Sequence, residues 1–206
     1  MIDQIMKQDK KERLGTFMSI AIFAGLIGWF YEFIFYYFNY GMQGFFLQGG
    51  NFLPWINIYA YGALLIILLV YKFNIEKRPF MIFLVSFFAT GILEYFSGLV
   101  IFKLTGNRYW DYNTEIWNFG NIGGFVCLRS VLAFGLSGVA LVYCVAPAIE
   151  KLKKRLGIDR FLKITFIIFA IILTDELYNL IIARFFNLPR ALDIYRRMGF
   201  KYRPWF

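Results

Sequence analysis

Five long apolar runs, at about 16–38, 54–71, 80–102, 124–148 and 161–187, constrain this 206-residue chain more than any other feature. A helix needs about 20 apolar residues to cross roughly 30 Å of hydrocarbon, and most of these runs are long enough. The composition agrees. The chain is 60% hydrophobic and 17% charged, where a soluble domain has about 45–50% apolar and about 25% charged residues. The fold class expected is an all-α integral membrane protein, a bundle of about five transmembrane helices.

The formal charge of +9 would suggest nucleic acid in a soluble chain. Here it comes from basic segments that flank spans, so the partner it implies is the lipid bilayer and no nucleic acid. The N-tail holds Lys7, Lys10, Lys11 and Arg13, the second connection Lys72, Lys77 and Arg78, and the fourth Lys151, Lys153, Lys154, Arg155 and Arg160. Lys103 and Arg108 are the basic residues of the first and third connections together. Basic loops stay cytoplasmic, so the N-terminus is expected inside and the 39–53 and 103–123 loops outside. The charged N-terminus precedes a span too long for a signal-peptide core, so the first helix is expected to be retained.

Five spans put the tail RALDIYRRMGFKYRPWF outside although it is basic at Arg190, Arg196, Arg197, Lys201 and Arg203. Either late charges are tolerated, or the last span re-enters without crossing. Earlier loops usually dominate orientation, which favours the crossing. Three parts follow: a basic N-tail at 1–15, a four-helix membrane domain at 16–150, and at 151–206 a basic linker, a fifth helix and an aromatic tail.

The apolar runs carry ionisable residues, each costing about 2.5–3.5 kcal/mol to insert. At 1.5 Å per residue, Glu32 lies roughly 24 Å up span one and Glu94 roughly 21 Å up span three. Arg129 lies just below the top of the descending span four, and Asp175 and Glu176 lie well up span five. All five fall in one band of the outer half of the bilayer. Facing each other around water or a ligand accommodates them best, with Arg129 bridging two carboxylates through its planar fork. Gly25, Gly28, Trp29 and Tyr36 share the Glu32 stripe, and Thr90, Gly91, Ser97 and Gly98 share that of Glu94, so small residues let backbones approach there. The structural alternative is a buried ion pair that only fixes helix register.

The loop NRYWDYNTEIWNFG is aromatic enough to lie at the membrane interface. It is either an aromatic belt or a lid, Trp110, Asp111 and Tyr112, with Asp111 aimed at the charged band. Cys127 and Cys144 lie about 25 Å apart on one helix and are expected to be buried free thiols. The chain has no histidine, which removes the commonest zinc sets. No metal and no cofactor is expected.

The stretches GWFYE (28–32), GFFLQGGNFLPWINIYAYG (44–62), LEYFSG (93–98), YWDYN (109–113) and CLRSVLAFG (127–135), in that order, resemble the type IV ABC-transporter permease family of bacteria, also called CmpB-like. Gly28, Trp29 and Glu32 match its first motif, Glu94 and Tyr95 its helix motif, and Trp110, Asp111 and Tyr112 its loop motif. Cys127, Leu128 and Gly135 fit its last. The family's arginine before Gly-Phe-Leu is replaced by Gln43–Gly44, its Gly-Pro by Gly49–Gly50, and its late tryptophan by Phe134. The resemblance covers about 16–150, so Asp175 and Glu176 inherit nothing from it.

It implies a multi-pass protein of the bacterial cell membrane, the membrane subunit of a transport system. No G-x-x-x-x-G-K-[ST] loop is present, so ATP-driven transport needs a separate cytoplasmic ATPase, docked at KFNIEKRP or the basic 149–163 segment. The small size suggests a homo-oligomer. Two other readings stay open: an intramembrane enzyme acting on a lipid or isoprenoid phosphate, and an accessory or assembly protein. No catalytic motif supports the enzyme, and no catalytic residue is assigned.

Overall fold

A computed structural model describes residues 1–202; Arg203 of the basic tail lies outside the described residues. The described residues form a helical bundle with no strand beyond isolated bridges. A short α1 (Ile2–Met6) precedes α2 (Lys10–Asn39), whose first turn is capped by the Asp9 carboxylate accepting from the N–H groups of Lys11 and Glu12. After α3 (Asn57–Lys72) comes α4 (Pro79–Thr105), which starts on a proline and ends on left-handed Gly106. Then α5 (Leu128–Leu156) descends, α6 (Ile158–Phe185) returns, and α7 (Ala191–Arg197) closes the described tail.

Four of these, α2, α4, α5 and α6, are long and apolar enough to cross a membrane. Their outward faces suit lipid, with Phe30, Phe88, Phe96, Leu136, Ile167 and Ile171 all exposed. The second apolar run differs from expectation. Its helix has 16 residues, about 24 Å, and is short for a span. Irregular backbone at 49–56 makes up the difference by dipping inward from the α2–α3 connection. Trp55 Nε1 donates to the Ala21 carbonyl (3.2 Å) and Ile56 N–H to that of Gly25 (3.2 Å), near the middle of α2.

Two helices widen into π turns, each with a local cause. In α5 the wide turn at Leu141–Val145 precedes Pro147, which has no N–H and would crowd the carbonyl four residues back. In α6, at Tyr178–Ile182, the Asn179 amide donates to the Asp175 carbonyl (2.9 Å), inserting a side chain into the helical ladder.

The helices pack α6–α2–α3–α4–α5, and the last turns of α5 return to touch α2 and α6. The main apolar core sits at the α1 end, where Ile2, Ile5, Ile20, Ile67, Val70, Ile82, Ile149 and Phe161 are buried together. Lys153 is buried there too, 6% exposed. It pairs with Glu12 (2.8 Å) and Glu150 (2.7 Å) and so ties α5 to α2. At the opposite end the tail lies against the first connection, with Leu47 N–H donating to the Lys201 carbonyl (2.8 Å). The thiols part company. Cys127 is buried as expected, whereas Cys144 is exposed, because the π turn places it on the outward side of α5.

Close approach of the dipping segment depends on two glycines. A Cβ on Gly25 would meet Trp55 Nε1 at 2.1 Å, and one on Gly28 would meet the Tyr59 ring at 2.2 Å. Gly25→Ala should therefore destabilise the bundle by about 2 kcal/mol through overpacking, while Gly50→Ala, with open space around it, leaves the thermal midpoint in detergent unchanged. Lys153→Met should cost about 3 kcal/mol in the same melt, since it strands two carboxylates beside a core.

Candidate functional site

The α1 end is filled by core, and a cavity of about 720 Å³ extends from Ile66 and Leu141 at the edge of that core through the other half of the bundle. The short α3 is the reason. Where a full span would continue, the dipping segment contributes Gly49, Gly50, Asn51, Trp55 and Ile56 to the cavity wall. Non-helical backbone at such depth is tolerated where it lies against protein or a hydrated cavity. Here the Asp175 carboxylate accepts from the N–H groups of Phe52 (3.0 Å) and Leu53 (2.7 Å). It is oriented by the Asn179 amide (2.7 Å), whose oxygen in turn accepts from Ala191 N–H (2.7 Å). Glu176, the next residue, accepts from Asn51 Nδ2 (2.9 Å).

Glu32, Glu94, Arg129 and Glu176 all lie on the wall of this one cavity, and Asp175 stands behind it holding the dipping backbone. Glu94 is 5% exposed. It accepts the Tyr112 hydroxyl on one oxygen (2.5 Å) and that of Ser130 on the other (2.8 Å). Glu32 accepts from the Tyr59 hydroxyl (3.1 Å).

Arg129 pairs differently from expectation. It bridges neither Glu32 nor Glu94; its Nη2 meets Glu115 at 2.5 Å, and its Nη1 reaches the Tyr31 hydroxyl at 3.3 Å. The guanidinium lies 3.9 Å from the Phe35 ring centre and 5.3 Å from that of Tyr112. Glu115 is 1% exposed and also takes the Tyr36 hydroxyl in a short hydrogen bond. The counter-ion thus comes from the 106–127 loop.

Asp111 does not point at the band below. Its carboxylate accepts from the backbone and side-chain nitrogens of Asn113 (3.1 and 2.6 Å) and lies 3.8 Å from Arg108, so it shapes the loop itself. Tyr112 and Trp110 are on the cavity wall, the latter fixed by its indole N–H on the Phe125 carbonyl (2.9 Å). Gly28 lies on the wall beneath Tyr59. Trp29 instead donates to the Gln48 carbonyl (3.1 Å), and Tyr95 packs edge-on to Phe125; neither reaches the cavity.

Sequence reasoning placed Tyr36 on the Glu32 stripe but missed Tyr59, Glu115 and Ser130. Tyr59 and Ser130 lie inside quoted stretches and Glu115 four residues past Asp111, but nothing in their spacing marks a partner. Among the described residues no group of three or more acidic, cysteine or histidine side chains is placed to hold a metal.

The Glu115–Arg129 pair should be strongly coupled. Glu115→Gln alone should lower stability by about 3 kcal/mol by leaving a half-buried guanidinium unpaired. Adding Arg129→Gln should recover more than about 1 kcal/mol of that in a double-mutant cycle of thermal melts; additivity would deny the pair its role.

Comparison with known families supplies a further observation. The model of the family described as "Putative ABC-transporter type IV" matches residues 19–180. The match runs past residue 150, so α6 with Asp175 and Glu176 belongs to the family region, contrary to the shorter extent expected from the motifs. Neither the curated proteins nor the solved structures gave a match.

Proposed function

The chain belongs to this family, and from that premise we propose that it is the membrane subunit of a transport system, with the cavity as the place where substrate is held. One observation carries the reading: α3 begins partway down the bundle, and the irregular backbone before it lines a cavity whose largely apolar wall carries Glu32, Glu94, Arg129 and Glu176. Broken helices near the bilayer midplane recur where transporters hold their substrates, because interrupted backbone offers polar groups that a continuous span conceals.

The basic segments at the α1 end would orient the protein with its N-terminus in the cytoplasm of a bacterial cell, so the end of the cavity lined by Glu94, Tyr112 and Arg129 would lie toward the outside. The core closes the cytoplasmic half, as one resting state of an alternating-access protein would require. Energy would come from a separate ATPase docked on the 73–78 connection and the basic 149–163 segment, since this chain has no phosphate-binding loop. The protein itself transports and does not catalyse. Its small size favours a homo-oligomer.

Purification from the native membrane in mild detergent tests this directly. Mass spectrometry should find an ATPase in stoichiometric amount, and a chain that emerges alone or self-paired would remove the ATPase-driven mechanism. Glu32→Gln and Glu94→Gln should then leave abundance unchanged and abolish substrate-stimulated ATP hydrolysis by the complex. Loss of abundance in both variants would point to an assembly role instead.

A further inference from the structure

We propose that the cavity binds an amphiphilic organic cation, with its charged group at Glu94 and its apolar body against the aromatic wall. The inference rests on the reading of the cavity as a substrate site and adds the class of substrate.

Glu94 is the anchor. Its carboxylate accepts two neutral hydroxyls, from Tyr112 and Ser130, and among the described residues no lysine or arginine lies within ion-pair distance of it. A carboxylate offers about four lone-pair sites, so two remain for a ligand. Of the guanidiniums on the cavity wall among the described residues, Arg129 is held on Glu115, Arg190 is paired with Asp193, and Arg184 reaches the Tyr109 hydroxyl (3.5 Å). A buried carboxylate supplied only with neutral donors is the kind of group that an incoming cation stabilises.

The wall suits the rest of such a ligand. Tyr31, Phe35, Tyr59, Trp110, Tyr112 and Phe134 all face the cavity. Ring faces attract cations, and this wall already holds one, the Arg129 guanidinium over Phe35 and Tyr112. The volume of about 720 Å³ falls within the range of roughly 300–1,000 Å³ that drug-sized ligands occupy. Access is sideways as well: Ile27 and Tyr61 line the cavity yet are 52% and 57% exposed, on helix faces that otherwise meet lipid. An apolar ligand already dissolved in the bilayer can enter there.

The opposite charge is the natural challenge, because the N-terminal ends of α3 and α5 also reach the cavity and carry about half a positive charge each. Tetraphenylphosphonium and tetraphenylborate decide it, having the same shape and opposite charge. Tritiated forms of both are equilibrated with the full chain in lipid nanodiscs, with empty nanodiscs subtracted. Tetraphenylphosphonium should bind saturably and tetraphenylborate should not compete with it. Glu94→Gln should weaken binding at least tenfold, and Glu94→Asp should retain most of it. Asp159→Asn, at the other end of α6, should change nothing. Should the Glu94 variants fail to fold, Phe134→Leu provides the second arm, with a loss of about threefold expected.

Preferential binding of tetraphenylborate, or tetraphenylphosphonium binding indifferent to both Glu94 and Phe134, overturns the cation class. If an ATPase copurifies and neither ion binds, transport stands and the cation class falls. If the cation binds through Glu94 and no ATPase copurifies, the cation site stands and the ATPase-driven reading falls.

Discussion

The Asp175 carboxylate, accepting from the N–H groups of Phe52 and Leu53, is the contact on which the rest of the outer half depends. Backbone buried at membrane depth without a partner costs several kcal/mol per group, so a segment that leaves helical geometry there must find its acceptors in neighbouring helices. Residues 49–56 find them in Asp175, in the Gly25 carbonyl for Ile56, and in the Ala21 carbonyl for the Trp55 indole. Once that backbone is satisfied, α3 can start late, and its late start opens the cavity. The same carboxylate is braced by Asn179, whose insertion into the ladder of α6 accompanies the π turn there. One acidic side chain thereby connects the dipping segment, a helix defect and the start of α7, through the Asn179–Ala191 contact.

The two ends of the bundle follow different physics. At the α1 end, isoleucines and valines from five helices interdigitate, and the one buried charge, Lys153, meets two carboxylates at once. At the other end the side chains are aromatic and ionisable, and they are joined by specific hydrogen bonds around open space. Packed aliphatic core resists deformation, whereas polar contacts around a cavity exchange partners at modest cost because water or ligand can replace each one. Motion is therefore cheaper in the half that carries Glu32 and Glu94.

Much of this was legible in the sequence because lipid imposes a length and an apolar composition on anything that crosses it. The helices α2, α4, α5 and α6 follow from that constraint, and Glu32, Glu94, Arg129 and Glu176, grouped by the helical rise, meet on one cavity wall. What was not legible lies in irregular backbone. The second apolar run extends back to residue 54, but Pro54 and Trp55 stay outside the helix, so hydropathy overstated its length. Asp111 resembled a lid residue by position, yet its short side chain closes on Asn113 within its own turn. Glu115 is carried inward by a loop whose path includes left-handed Trp117, Gly120, Gly123 and Gly124, a course that no periodicity encodes. For Cys144, a regular helix would have been the wrong template, because a π turn shifts the face by part of a turn.

The choice of Glu115 over Glu32 or Glu94 as partner for Arg129 has a functional consequence. A guanidinium between two wall carboxylates would neutralise the cavity and tie α2, α4 and α5 together across it. Held by a loop carboxylate, Arg129 leans against Phe35 and Tyr112, and among the described residues Glu94 keeps two neutral donors, Tyr112 and Ser130. Tyr112 belongs to the same loop as Glu115, so the loop grips the bundle at Glu94 of α4, at Arg129 of α5, and at Tyr36 and Asn39 of α2. A movement that lifts the whole loop breaks these contacts together, which couples the hydration of Glu94 to the release of Arg129. The loop over the cavity is thus bound to the state of its charges, and a ligand that takes a place at Glu94 competes with one of the contacts that hold the loop down.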